Sequence, residues 1–302
     1  MRKFIICIIL LVVLTIGVCY ANTNEQENGF QILKVSIGAS AAGRGGAVSA
    51  LPGNATSLWY NPAAVSLSDG SNFCFSRINY LFGVNIDNAS IIFDKGKSSF
   101  GFGLTFLNYG KIDKTDGTGN LIGEFHPTDL ILAGNHSWRL SPSVYFGYNI
   151  KLAYEKIDSE TSYGLGADLG MVWDTFLRGL NLSAVVQNVG YSTKLKDESI
   201  HLPLTWKCGA NYSRSIGTNQ SSISLSSDII YFATEDTKCN LGLEFDYTEK
   251  IFTRVGYALN YDSEDISAGL GLKINSYQFD YAFTPYSNDL GNVHRISLTY
   301  NF

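Results

Sequence analysis

The clearest signal in the chain is an alternation of apolar and polar positions that begins near Asn72 and runs to the last residue. Tyr277, Phe279, Tyr281 and Phe283 alternate with Gln278, Asp280 and Ala282. Cys239, Leu241, Leu243, Phe245 and Tyr247 alternate with Asn240, Gly242, Glu244 and Asp246, and Tyr163 to Trp173 behaves in the same way. Period two is the spacing of a strand with two unlike faces. Such runs predict about 14 strands, many of them about 10 residues long, the length a tilted strand needs to cross a bilayer.

A soluble sandwich also alternates, so the connections have to decide. Tight turns are predicted at Lys95-Gly96-Lys97, Leu140-Ser141-Pro142, Thr248-Glu249-Lys250 and Asn275-Ser276. Longer links are expected at residues 110–127, 189–202 and 285–291, giving one end of turns and one of loops. On the apolar face Tyr163, Trp173 and Tyr247 fall at strand ends, where interfacial girdles lie. The other face is Gly, Ser and Asn with scattered charge: Asp168, Lys207, Glu244, Asp246, Arg254 and Asp280. Unpaired charge does not suit a dry core, so this face is expected to line a hydrated or plugged lumen.

The final stretch, Val293 to Phe302, places Ile296, Leu298, Tyr300 and Phe302 on one face. An apolar edge is an aggregation hazard that closure onto the first strand near Phe73 would remove. The stretch resembles the C-terminal recognition strand of bacterial outer-membrane barrels, which implies outer-membrane lipids and the barrel assembly machinery as partners. The expected class is an all-β, antiparallel transmembrane outer-membrane β-barrel over residues 69–302.

Ahead of it lie residues 22–68, within which Gly38 to Val65 follows neither period. Gly43, Gly45 and Gly46 permit irregular backbone, Pro62 ends regular elements, and Leu58, Trp59, Tyr60 and Pro62, with Asn61 among them, form an aromatic and apolar knot. These residues predict a plug inside the lumen; a flexible linker is the competing reading, against which the bulky aromatics stand. Arg44 is the only charge between Val35 and Ser68. It is expected to meet a wall carboxylate from Asp168, Glu244, Asp246 or Asp280, or else to face periplasmic water. Leu51, Leu58 and Trp59 are candidates to line an apolar pocket between plug and wall.

Residues 1–21 read as a signal peptide: Arg2 and Lys3, an apolar run from Phe4 to Val18, then Cys19-Tyr20-Ala21. No basic stop-transfer flank supports an anchor, and Val18 is bulky for lipoprotein cleavage before Cys19. Export would leave Cys74, Cys208 and Cys239, an odd number that argues against a disulfide framework.

Composition excludes more than it identifies. Of the 302 residues only 16% are charged, and the net charge of −5 comes without a basic stripe, so nucleic acid is not an expected partner. Gly38 to Arg44 has phosphate-loop spacing but lacks its Lys and Ser/Thr, and no Gly-x-Ser-x-Gly elbow occurs. His126, His136, His201 and His294 have no ligands at zinc spacing. No enzyme motif survives, and no cofactor is expected.

Four segments carry a family resemblance. Phe30 to Val35, Gly38 to Ala47 and Ser57 to Ala64, together with Leu290 to Leu298 at the other end, resemble the corresponding parts of the PorV/PorQ family. The chain departs from it at Arg44 and Ala64. That family is similar in fold to the FadL fatty-acid transporters, whose 14-stranded barrels hold an N-terminal hatch. The resemblance implies a type IX secretion-type accessory at the bacterial outer membrane, with secretion-system components and exported proteins as partners. A FadL-like transporter of hydrophobic small molecules and a barrel with a structural role in an assembly are the alternatives.

Overall fold

The computed structural model describes residues 29–302 apart from 218 and 234. The expected signal peptide therefore lies outside the described residues. Sixteen strands follow one another: β1 (Asn72–Asn79), β2 (Asn85–Asp94), β3 (Ser98–Asn108), β4 (Ile112–Thr115), β5 (Leu121–Phe125), β6 (Thr128–Ser141), β7 (Val144–Ile157) and β8 (Glu160–Asp174) form the first half. The second half is β9 (Leu180–Ser192), β10 (Thr205–Ile216), β11 (Ser221–Phe232), β12 (Lys238–Tyr247), β13 (Ile251–Leu259), β14 (Ile266–Ile274), β15 (Tyr277–Tyr286) and β16 (Gly291–Asn301). Fourteen of them form a closed antiparallel barrel, and β4 and β5 pair separately as a hairpin in the β3–β6 connection.

Closure pairs β1 with β16, with Phe73 opposite Tyr300 and Ser76 opposite Ser297. No barrel strand is left as an edge, because every ladder finds a partner in the ring. The period-two pattern gives each strand one apolar and one polar face, and the barrel sorts them inside out relative to a soluble protein. Phe75, Phe102, Leu152, Leu225, Leu270 and Ile296 point outward and are exposed, whereas Ser76, Asn88, Asn149, Asp168, Asp280 and Arg295 point inward and are buried. An exposed apolar belt around a buried polar interior is stable when hydrocarbon surrounds it. Outward rings gather near the turn end, where His136 stacks on Phe100 at 4.6 Å and packs near Trp138 at 4.9 Å.

The chain enters β1 and leaves β16 at the same end, Asn72 facing Asn301. Residues 95–97, 142–143, 248–250 and 275–276 turn at that end. The opposite end carries the β4–β5 hairpin and the long link of residues 193–204. One expected loop is corrected: β15 runs to Tyr286 and β16 begins at Gly291, so residues 287–290 make a tight connection. The strand pattern continues through Pro285, whose missing N–H falls near the strand's end, where it costs little.

Candidate functional site in the lumen

The inward face acquires its meaning from residues 29–71, which thread the lumen from the loop end to the turn end. At the loop end Gly29 N donates to His201 O at 3.1 Å, Phe30 N donates to Glu155 Oε2 at 2.6 Å, and Lys34 pairs with Glu235. A short helix, α1 (Ala39–Gly43), then lies against β13 to β16. Two 3-10 turns, Ala55–Trp59 and Pro62–Leu67, follow on the opposite wall before β1 begins. Local sequence explains both turns. Asn54 Oδ1 accepts from Thr56 N at 2.9 Å, Asn61 Oδ1 accepts from Ala63 N at 3.0 Å, and Pro62 occupies a first-turn position where its missing N–H does no harm.

An irregular segment leaves backbone groups without partners, and buried ones must be satisfied. Inward wall side chains do this one by one. Ala39 N donates to Ser297 Oγ at 2.8 Å, and Gly45 N donates to Ser267 Oγ at 3.1 Å. Val48 N and Ser49 N both donate to Asp228 Oδ2 at 3.1 Å, and the Ser49 hydroxyl donates to Asp228 Oδ1 at 2.6 Å. Asn149 Nδ2 donates to Leu58 O at 2.7 Å, and Gln187 Nε2 donates to Trp59 O at 2.9 Å. Trp59 Nε1 reaches Ser90 Oγ at 2.9 Å.

Glycines make the close approach possible. A Cβ on Gly256 of β13 would overlap Gly45 N, and one on Gly170 of β8 would overlap Asn61 Oδ1. Gly43 likewise lies against Gly269 of β14. Gly147, Gly170, Gly256 and Gly269 thus form grooves into which the segment sits, and not open lumen. Sequence reasoning missed this role, and it missed Asp228; the signal available was the shared inward period of Ser224, Ser226 and Asp228.

Two ion-pair networks join charges across the lumen. Arg44, 8% exposed, pairs through Nη2 with Glu244 Oε1. Glu244 Oε2 also accepts from Arg254 Nε at 2.5 Å, and Arg254 Nη1 donates to Asp280 Oδ1 at 2.6 Å. A chain of alternating sign therefore runs Arg44–Glu244–Arg254–Asp280 across β12, β13 and β15. On the other wall Lys151 Nζ lies 2.7 Å from Asp168 Oδ2, with Asn149 and Asn188 completing the carboxylate's hydrogen bonds. Asp246 belongs to neither network. It sits at the turn end of β12 and accepts from Glu249 N at 2.8 Å.

Above the segment, towards the loop end, lies a cavity of about 760 Å³. Trp59 lines it together with Tyr60, Tyr80, Tyr109, Phe232 and Tyr286. Leu51 and Leu58 do not contribute, contrary to expectation: Leu58 is fully buried against Ala55, Val65, Ile92 and Ala133. Gly46 reaches the cavity, while Gly43, Asn61 and Pro62 pack against the wall below. Ile296, Leu298, Tyr300 and Phe302 point away from the lumen, with the Tyr300 ring 5.0 Å from Tyr277.

Comparison with known proteins agrees with this geometry. The sequence model of a family described as type IX secretion system membrane protein PorP/SprF matches residues 152–300, from within β7 to β16. No curated protein sequence matches the chain. Among solved structures, the toluene transporter TodX of Pseudomonas putida superposes with a TM-score of 0.59 at 12% identity, covering 91% of this chain and 98% of that one. A FadL homologue of Pseudomonas aeruginosa superposes with a TM-score of 0.53 at 12% identity, covering 89% and 99% respectively. At such identities the likeness carries the fold alone: the chain is a closed 14-stranded outer-membrane β-barrel of the architecture seen in TodX and the FadL homologue.

Proposed function

We propose that this barrel is an outer-membrane accessory of a type IX secretion-type pathway that binds or delivers exported proteins. The observation that carries the reading is the match of residues 152–300 to a type IX secretion membrane-protein family. The PorV/PorQ resemblance of the terminal segments points to the same pathway by a different family. Hydrogen bonds from opposite walls to residues 29–71 support a docking role over a conducting one. Exported polypeptide would then engage the loop end, where the β4–β5 hairpin lies outside the ladders of the ring. Isolation of the tagged protein in mild detergent, followed by identification of what accompanies it, tests the proposal. Secretion-system components and exported proteins should co-purify; their absence, with secretion intact in a deletion strain, would overturn it.

A second reading, passage of a hydrophobic small molecule past the plug, is favoured by the 760 Å³ cavity beside Trp59. Cavities of this size suit small ligands. Bound lipid-like material in the purified protein would support it.

A further inference from the structure

Most carboxylates on the inner wall have partners. Asp168 has Lys151, Glu244 has Arg44 and Arg254, and Asp280 has Arg254. Asp228 accepts three hydrogen bonds from Val48 and Ser49. Two carboxylates at the loop end differ. Asp129, near the start of β6, stands directly opposite Glu155 of β7. Both point into the lumen. Asp129 shares its strand face with Asn135, which donates to Pro62 O at 3.2 Å, and Glu155 shares its face with Asn149, which donates to Leu58 O. Neither has an ion pair among the described residues. Residues directly opposite on one face have Cβ atoms about 4.5–5.5 Å apart, so two carboxylates there can touch one ion, and like charges so placed repel.

Each carboxylate has one oxygen held and one left over. The Tyr109 hydroxyl donates to Asp129 Oδ2 at 3.3 Å, and Phe30 N donates to Glu155 Oε2 at 2.6 Å. Asp129 is 1% exposed, yet its Oδ1 has no hydrogen-bond partner. Glu155 Oε1 accepts no hydrogen bond among the described residues. A buried carboxylate oxygen without a donor is costly. Apolar side chains surround the pair: Phe30, Leu107, Ile131 and Ala153 belong to one buried cluster, and Leu107 lies opposite Asp129 on β3. Such surroundings strengthen the pull of two carboxylates on a cation. Glu155 is half-buried, so water reaches one side of the pair.

We propose that Asp129 and Glu155 together bind a calcium ion, with Asp129 Oδ1 and Glu155 Oε1 as its protein ligands. The donors are oxygens only, and their two negative charges match one divalent cation, a ligand set for a hard metal. Calcium accepts irregular shells of about six to eight oxygens, whereas magnesium demands a compact octahedron. No third Asp, Glu, His or Cys joins the pair among the described residues, so water completes the shell and the affinity is modest, about 0.1–1 mM. The ion would tie β6 to β7 beside the start of the lumen segment at Phe30. Through Tyr109 it would also steady the base of the β4–β5 hairpin, where Tyr109 N donates to Pro127 O at 3.3 Å. The site goes beyond both readings above, since it requires neither secretion partners nor passage through the barrel.

The test uses the full barrel in a detergent with an uncharged headgroup, stripped with chelator, and isothermal titration with calcium chloride and with magnesium chloride. Calcium should saturate one site. Asp129→Asn and Glu155→Gln should each weaken it about 10-fold or more, and Asp113→Asn, at an exposed acid on the hairpin, should leave it unchanged. Calcium should also slow hydrogen exchange of the Phe30 amide in the unmodified chain and in neither ligand variant. Absence of saturable calcium binding, the result for a pair that holds only a proton, would overturn the site. Binding that survives both substitutions, or that Asp113→Asn weakens as much, would overturn it too. Magnesium binding as tightly as calcium would overturn the choice of ion. If Asp129→Asn does not assemble, as judged by heat-modifiable mobility, the half-buried Glu155→Gln decides alone.

Discussion

Replacing Arg44 by Glu should detach the middle of the N-terminal segment from the wall while the barrel still assembles. Arg44 is the segment's only charge between Val35 and Ser68, and its Nη2 meets Glu244 on β12. The substitution removes that pair and faces two carboxylates across a buried gap. Arg254 is left to hold Glu244, Asp280 and the newcomer. Breaking a buried pair costs about 3–5 kcal/mol, so the released state should rise about 100- to 4000-fold relative to the docked one. The cost falls on local docking, because the ladders of the ring do not run through Arg44. Two assays read it: single-channel conductance in planar bilayers, and limited proteolysis of residues 38–48. Arg44→Glu channels should conduct more and be cut faster, and adding Glu244→Gln should recover part of the loss by removing the repulsion. Channels as closed and as protease-resistant as the unmodified protein would refute the tether.

Two further outcomes follow from the ends of the molecule. Phe302→Asp should impair insertion more than Asn301→Asp, measured as the heat-modifiable fraction in outer membranes: Phe302 is exposed on the membrane side with its ring 5.9 Å from Tyr300, whereas Asn301 is half-buried at the turn end. Equal insertion would contradict the assembly role of that strand. At the loop end, burial pushes the Glu235 carboxyl up, but Lys238 and Lys34 outweigh it and hold the group below its ordinary 4.5. A depressed carboxylate contributes above its unfolded value and is lost as pH falls through the folded one. The hold on the Gln31–Lys34 turn should therefore weaken as the pH falls through that depressed value, seen as faster hydrogen exchange after correction for intrinsic rates. Glu235→Gln should exchange fast at every pH.

Much of the fold was legible in the chain itself, because period two is a local property. Tyr277 to Phe283 can bury one face and expose the other only as a strand, and Ile296 to Phe302 set the closing strand by the same rule. The irregular stretch before Asn72 was equally visible, since Gly, Pro and capping Asn act within a few residues of themselves. Tertiary structure alone decided which partners those residues meet. Four carboxylates could have faced Arg44; register around the ring presents Glu244, assigns Asp168 to Lys151 and Asp280 to Arg254, and leaves Asp246 at a turn. Gly170 and Gly256 resemble any other inward glycine in sequence, and only the path of residues 29–71 turns them into grooves. That Arg295 meets Thr284 and, among the described residues, no carboxylate could not be read from VHRISLTYNF either. Period two turns it inward, but whether a carboxylate waits there depends on strands brought together by closure of the barrel, far from it along the chain.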